Sequence, residues 1–267
     1  MLKNIKVNMA FIVIPVSVVV AYFLYHKVLG NPNNFIDSDI LNEPLRGNWL
    51  GTIHKGGNIV ILLITFQLIA LIYTFERYIS IQYSSGKGDL TRFIHDVKSS
   101  LSENNLERII NICDDQRGAV ANVVKTGLGT YLKLKETNEI DQKDIYLIQK
   151  ELEEATQLEI PLLNKNMFIL STIAQIATLV GLLGTVTGMI KAFAALAQLG
   201  EPDAVGLAGG ISQALVTTAL GISTAAVTIV FYNYFSNKVE QVIYAIDEAS
   251  FSIIHSLKLK YFIKDAQ

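Results

Sequence analysis

This sequence is short of charge, of cysteine and of catalytic clusters, and each shortage excludes a class of function. Only 17% of its 267 residues are charged and 51% are hydrophobic. The mean hydropathy of +0.37 is too high for an ordinary soluble enzyme. A formal net charge of −2 gives nucleic-acid binding no electrostatic support. The single cysteine, Cys113, excludes an intrachain disulfide and a cysteine-based metal cluster. It sits in a polar helical stretch and reads as a small, half-buried hydrophobe. Four histidines (His26, His54, His95 and His255) are scattered, without ligand partners three or four residues away. Glu151, Glu153 and Glu154 lie beside Lys150 and read as a solvated helix face rather than a metal site. There is no P-loop and no Rossmann glycine pattern. The expectation is therefore no catalytic residue, no metal, no cofactor and no enzyme.

Long apolar runs are what the chain has. Hydropathy marks four candidate spans, at about 9–29, 57–75, 167–195 and 211–235, each close to the roughly 20 residues a bilayer requires. The first follows Lys3 and Lys6 as a signal peptide would. Its end, Ala21 to Lys27, lacks a small-x-small cleavage site, so it reads as a membrane anchor. Arg77, Lys87 and Arg92 follow the second span and Lys238 follows the fourth, whereas 197–210 holds Glu201 and Asp203 without a basic residue. The positive-inside rule then puts both termini and residues 77–166 in the cytoplasm, with 30–56 and 197–210 on the other side. The Asn31–Asn34 and Asn42–Pro44 stretches make 30–56 read as an irregular extramembrane loop.

Residues 84–88 should break the second helix. Beyond them, Leu90, Phe93, Ile94, Val97 and Leu101 recur at helical spacing, as do Leu106, Ile109, Ile110 and Cys113, and Val120, Val123, Val124, Leu128 and Tyr131. These predict short amphipathic helices that bury their stripes against one another. Asp141 is an N-cap candidate for a helix carrying Ile145, Ile148, Leu152 and Ala155. With Pro161 tolerated as a kink, that helix is expected to run unbroken into the third span.

The third and fourth spans carry no acid or base deep in their apolar cores but are rich in small and hydroxyl residues. Ser171, Thr178 and Thr185 are seven residues apart, beside a stripe of Gly181, Gly184 and Gly188. On the fourth span Thr217, Gly221, Thr224 and Thr228 follow i, i+4, i+7, i+11, next to a row of Thr218 and Ala225. Two readings stand: helix-packing surface, with Gly181, Gly184, Gly188 and Gly221 at the contacts, or hydroxyls lining a polar path. A threonine hydroxyl donates and accepts but cannot store a proton at neutral pH. Lys191, near the outer end of the third span, reads as snorkelling toward the interface.

The order of residues in these spans resembles a known family. Leu179 through Phe193, and Gly210 through Ser223 followed by Tyr232-Asn233, are similar to the signature of the MotA/TolQ/ExbB proton-channel family. The resemblance runs from about 57 to about 240, includes Phe75-Glu76-Arg77, and is nearest the ExbB/TolQ branch. It implies an all-α integral membrane bundle with four transmembrane helices, the long ones extending into a cytoplasmic helical domain. The parts would be an extra transmembrane anchor (1–29), a periplasmic segment (30–56), a second transmembrane helix (57–83), a cytoplasmic helical domain (84–166), a helix pair with a short periplasmic loop (167–235, loop 197–210) and a cytoplasmic C-terminal helix (236–267). It also implies a homopentamer in a Gram-negative inner membrane around an ExbD-like single-span partner that supplies an intramembrane aspartate. Proton flow there would drive a TonB-like protein, or envelope maintenance in a TolQ-like assembly.

By the same resemblance, the family's pore threonines fall on Thr185 and Thr218, and Gln213 stands where glutamate is frequent. Glutamine keeps the hydrogen bonding but cannot titrate. Val227 replaces a family proline, and the 9–29 span has no counterpart in the three-span form. A secondary transporter would show broken helices, buried charges or internal repeats, none of which is apparent. A passive membrane scaffold shares every packing feature and separates on proton-linked activity and on whether a neighbouring gene encodes a single-span protein with an aspartate in its span.

Overall fold

The computed structural model describes residues 9–40, 42–103, 105–137, 140–197 and 203–263. Lys3, Lys6 and Glu201, which carry part of the topology reading, lie outside the described residues. The elements are α1 (Met9–Phe23), continued by a π-helical stretch Leu24–Leu29, then α2 (Trp49–His54), α3 (Ile59–Ser85), α4 (Leu90–Ser102), α5 (Leu106–Gln116), α6 (Gly118–Thr137), α7 (Gln142–Leu163), α8 (Met167–Leu196) and α9 (Ala204–Lys258). The one bridge between extended residues among the described residues joins Phe35 to Pro44. Among the described residues, four helical stretches, beginning at Met9, Ile59, Met167 and Ala204, are long and apolar enough to cross a membrane. The fold is an all-α membrane helical bundle. The chain forms two compact units, Met1–Phe75 with Phe168–Tyr232 and Glu76–Met167 with Asn233–Gln267.

In the first unit, α1 buries Val13, Ser17 and Ala21, one residue per turn, and exposes most of its other apolar side chains. Tyr25, Leu29 and Val60 form a core with Ile53, Ile61, Ile64, Val216 and Leu220 packed around it. The segment after α1 is more ordered than its composition suggests. Buried Asn34 donates to the carbonyls of Val28 and Leu29 at 2.9 and 3.0 Å, groups that a helix end leaves without intrahelical partners. Asn48 donates to Asn34 Oδ1 and accepts from the Leu50 and Gly51 amides, capping α2. His54 stacks on Tyr25 with ring centroids 4.5 Å apart. Burial, with His26 and Lys55 nearby, lowers the His54 pKa.

In the second unit, the amphipathic stripes close on one another. Phe93, Ile94 and Val97, Ile109 and Cys113, and Val120, Val123, Val124, Leu128 and Tyr131 are buried, as are Ile145, Ile148 and Leu152 of α7. Val239, Val242, Ile246, Ala249 and Ile253 continue the three-and-four spacing on the later part of α9. α3 ends at Ser85, inside the expected break. Gly86 and Gly118 both adopt φ of +81°, and a Cβ on Gly118 would stand 2.6 Å from the Gly86 amide nitrogen. Glycine permits both the conformation and the approach. Asp141 caps α7 in a reciprocal box with Asp144.

Two helix boundaries differ from expectation. The single helix expected from Asp141 into the third span is divided: α7 keeps Pro161 inside it and ends at Leu163, and α8 begins at Met167. Asn166 between them has φ +62°, a left-handed conformation that asparagine tolerates better than most residues. Its amide donates to Glu76 Oε2 at 3.2 Å. Glu76 holds Arg77 through two contacts of 2.7 Å, and Arg77, 1% exposed, reaches the Leu163 carbonyl at 3.5 Å. The break is thus closed by a buried ion pair. The second difference is that α9 starts at Ala204, so part of the expected 197–210 loop is helix. An Asp203 carboxylate oxygen accepts from the Gly206 amide in its first turn.

Cys113 is 2% exposed, more deeply buried than its polar neighbours suggest. Burial first, then the Asp114 carboxylate, pushes its pKa up to about 12, against a smaller opposing effect of Lys125. The thiolate is the reactive form, and it is scarce far below the pKa. The native protein should therefore resist alkylation at about pH 8 and react fully once unfolded. Rapid labelling of the native protein would contradict this burial.

Candidate functional site

The candidate site lies along α8 and α9 in the first unit. It begins with how closely the two backbones meet. A Cβ on Gly181 would stand 3.0 Å from the Gly221 Cα, one on Gly221 would stand 2.7 Å from the Ala177 carbonyl oxygen, and one on Gly188 would stand 2.6 Å from the Gly210 carbonyl oxygen. At Gly184 the space is filled by the Thr217 side chain. In lipid, apolar burial does not drive helices together, so such contacts depend on close packing and hydrogen bonds. Small residues at each crossing turn make both available.

The hydroxyls divide into two sets at this seam. Thr217 is buried and donates to the Gln213 carbonyl at 2.9 Å within its own helix. Thr218, the next residue, points along a different direction, and its hydroxyl meets that of Thr185. Both lie 3.4 Å from the Gly181 carbonyl oxygen. The half-buried pair therefore shares one acceptor, and each hydroxyl retains lone pairs for a further donor.

Gln213 belongs to a second group, nearer the start of α9. It is 6% exposed; its Oε1 accepts from Lys191 Nζ at 2.8 Å and its Nε2 donates to Thr187 Oγ1 at 3.4 Å. Thr187 donates in turn to the Gly184 carbonyl at 3.1 Å. A Cβ on Gly57, whose φ is +73°, would stand 3.4 Å from the Gln213 Cδ, so the turn before α3 packs on the amide.

Thr185 and Thr218 are brought together, and Gln213 forms a separate cluster with no hydrogen bond to that pair among the described residues. Ser171 donates to the Phe168 carbonyl instead, and Thr178 is exposed. The sequence reading left out Thr187, Gly57 and the Lys191 contact. Lys191 has a snorkelling position, but its ammonium ends on Gln213. The spacing from 187 to 191 is one helical turn, which was the available signal for a shared partner. No group of three metal-binding side chains occurs among the described residues.

Comparison with known proteins places these helices. Residues 116–248 match the MotA/TolQ/ExbB proton channel family. The chain is 35% identical over 122 residues to a putative biopolymer transport protein ExbB-like 3 of Synechocystis sp., covering 40% of this chain and 58% of that protein. It is 30% identical over 115 residues to the biopolymer transport protein ExbB of Aquifex aeolicus, covering 43% and 70%. A match at 25% identity to the Tol-Pal system protein TolQ of Pseudomonas aeruginosa is longer, 195 residues, covering 71% and 84%.

The crowding at Gly184 makes a direct prediction. Gly184→Leu should destabilise the protein by about 1–3 kcal/mol through overpacking, read as a lower thermal midpoint in detergent. Gly129→Ala, on α6 where a Cβ meets nothing within 4 Å, should leave the midpoint unchanged or raise it. Equal effects would mean that the α8–α9 approach is not the limiting contact.

Proposed function

The chain belongs to the MotA/TolQ/ExbB proton channel family, and we propose that it is the ring-forming proton-channel subunit of an inner-membrane energy-transducing motor of the ExbB kind. The observation that carries this reading is the Thr185–Thr218 hydroxyl pair on the Gly181 carbonyl. It lies in two spans whose apolar cores hold no carboxylate. A hydroxyl relays hydrogen bonds but does not store a proton, so the titrating acid comes from another chain. An ExbD-like single-span subunit with an intramembrane aspartate has the required chemistry. The assembly is a homopentamer around that partner, and proton flow is coupled to outer-membrane transport through a TonB-like protein.

The pair acts on the energetics of the partner's acid. Ionising a carboxylate in a membrane is costly, and hydrogen bonds to the charged form reduce that cost. Thr185 and Thr218 exchange their mutual bond for bonds to the carboxylate when it gives up its proton, and restore it when the acid is protonated again. Gln213, with Lys191 and Thr187, keeps the other end of the path polar without titrating. The glycines at 181, 184, 188 and 221 hold the two helices at the required separation.

A TolQ-like role in envelope maintenance is the second reading, favoured by the length of the TolQ match. A passive scaffold is the third. Co-purification separates the first two by identifying the single-span partner and the periplasm-spanning protein retained with it. The Thr185→Val, Thr218→Val double variant separates both from the scaffold. Valine keeps the shape and loses the hydroxyl, so proton-driven transport should fall by about tenfold or more, as for a lost hydrogen bond to a charge, with the ring still assembled. Full activity would remove the hydroxyls from the path, and loss of assembly would favour packing as their role.

We propose the topology with both termini cytoplasmic and 30–56 periplasmic. A cysteine at Asn33, an exposed position, should react with an impermeant thiol reagent supplied from the periplasmic side. Protection there, with labelling only from the cytoplasmic side, would invert the assignment.

A further inference from the structure

A small cavity of about 30 Å³ lies within the first unit, lined by Gln67, Leu71 and Thr74 of α3 and by Thr224, Thr228 and Phe231 of α9. Its setting is apolar, since α3 reads Ile59 to Ile72 with Thr65 and Gln67 as the only polar side chains. Threonines inside these helices ordinarily satisfy themselves. Thr65 donates to the Ile61 carbonyl at 2.8 Å, and Thr228 donates to the Thr224 carbonyl at 2.7 Å.

Three of the lining side chains do not follow that habit. Gln67, Thr74 and Thr224 have no side-chain hydrogen-bond partner among the described residues. Thr224 is only 3% exposed, and it lines the cavity. Thr74 is half-buried, and Gln67 stands at the open rim. Inside a membrane, polar groups left without partners are strongly disfavoured. A cavity needs at least roughly 10–15 Å³ of such volume to hold a water, and the water needs two to four polar partners. This one has room for one or two waters and has those partners, including the free lone pairs of the Thr228 hydroxyl.

We propose that this cavity is a water-binding site that continues the proton path beyond the Thr185–Thr218 pair, with Gln67, Thr74 and Thr224 holding the water. The path role rests on the channel function proposed above; the water site does not. Thr224 lies six residues past Thr218 on α9, a rise of about 9 Å and a net turn of about 120° onto the Thr217 face, so the step between the two needs a further bridging water. A water there accepts a proton on one lone pair and releases another from a different O–H, whereas the Thr228 hydroxyl spends its one O–H on the Thr224 carbonyl. Gln67 supplies both a donor and an acceptor at the rim.

Water-edited solid-state NMR of the full-length protein in lipid bilayers tests occupancy. Side-chain signals of Thr224 and Thr74 should receive magnetisation from water several-fold faster than those of self-satisfied Thr65. Rates at Thr224 as slow as at Thr65 would overturn the site, as would density for a neighbouring helix's side chain in the cavity. Proton flux through the complex with its single-span partner tests the path. Thr224→Val should lower flux roughly three- to tenfold, the effect of one lost hydrogen bond, and Thr224→Ser should restore it. If Thr224→Val does not assemble, Gln67→Leu at the exposed rim gives the same readout. Wild-type flux in an assembled variant would overturn the path role. Absence of flux in the wild-type complex would overturn the channel reading, while the NMR rates would still decide the water site.

Discussion

The backbone contact between α8 and α9 is the constraint on which the candidate site depends. At Gly181 and Gly221 the two helices approach so closely that a methyl group on either would collide with the other's main chain. This approach brings the Thr218 hydroxyl across to Thr185 and sets both on one carbonyl. Wider separation would leave two isolated threonines, each bonded back to its own helix as Thr228 is. The glycines and the hydroxyls therefore do not offer competing explanations of the motif. Close packing and the hydroxyl contact are successive consequences of one geometry, and adjacent residues divide the work: Thr217 fills the space at Gly184, and Thr218 meets Thr185.

Much of this was legible in the sequence because it obeys local rules. Apolar runs of membrane length, the three-and-four spacing of α4 to α7, the Asp141 cap and the glycine rows all follow from residue type and interval. The parts that escaped depend on contacts between distant residues. The break at Asn164–Asn166 has no strong stop signal, and it is held by Glu76 and Arg77, almost ninety positions away. The ordered segment after α1 was read as irregular because its composition is that of a loop. One buried asparagine, Asn34, organises it by serving carbonyls of the preceding helix. Cys113 was placed half in and half out, whereas the packed stripes of α5 and α6 enclose it.

The resemblance singled out Thr185 and Thr218 as facing a partner's acid; neither their mutual contact nor the surroundings of Gln213 followed from it. Spacing on one helix cannot show that a lysine on α8 and a glutamine on α9 meet. The contact also changes what the glutamine means. Seen alone, it is a residue that cannot titrate. Beside Lys191 and Thr187 it is an amide fixed at both ends, accepting from the ammonium and donating to the hydroxyl.

That direction of bonding has a chemical consequence. From Lys191 to Gln213, to Thr187 and to the Gly184 carbonyl, every donated hydrogen points the same way along the helix pair. Such a chain is polar and ordered, it ends on a carbonyl, and its amide and hydroxyl members cannot store a proton. A carboxylate at position 213 could form an ion pair with Lys191; the amide offers it a hydrogen bond alone. In the proposed channel these residues orient and solvate, and an acid on a partner chain stores the proton. On that proposal, apolar spans without an acid, with paired hydroxyls and a neutral amide, receive a titrating group rather than bear one.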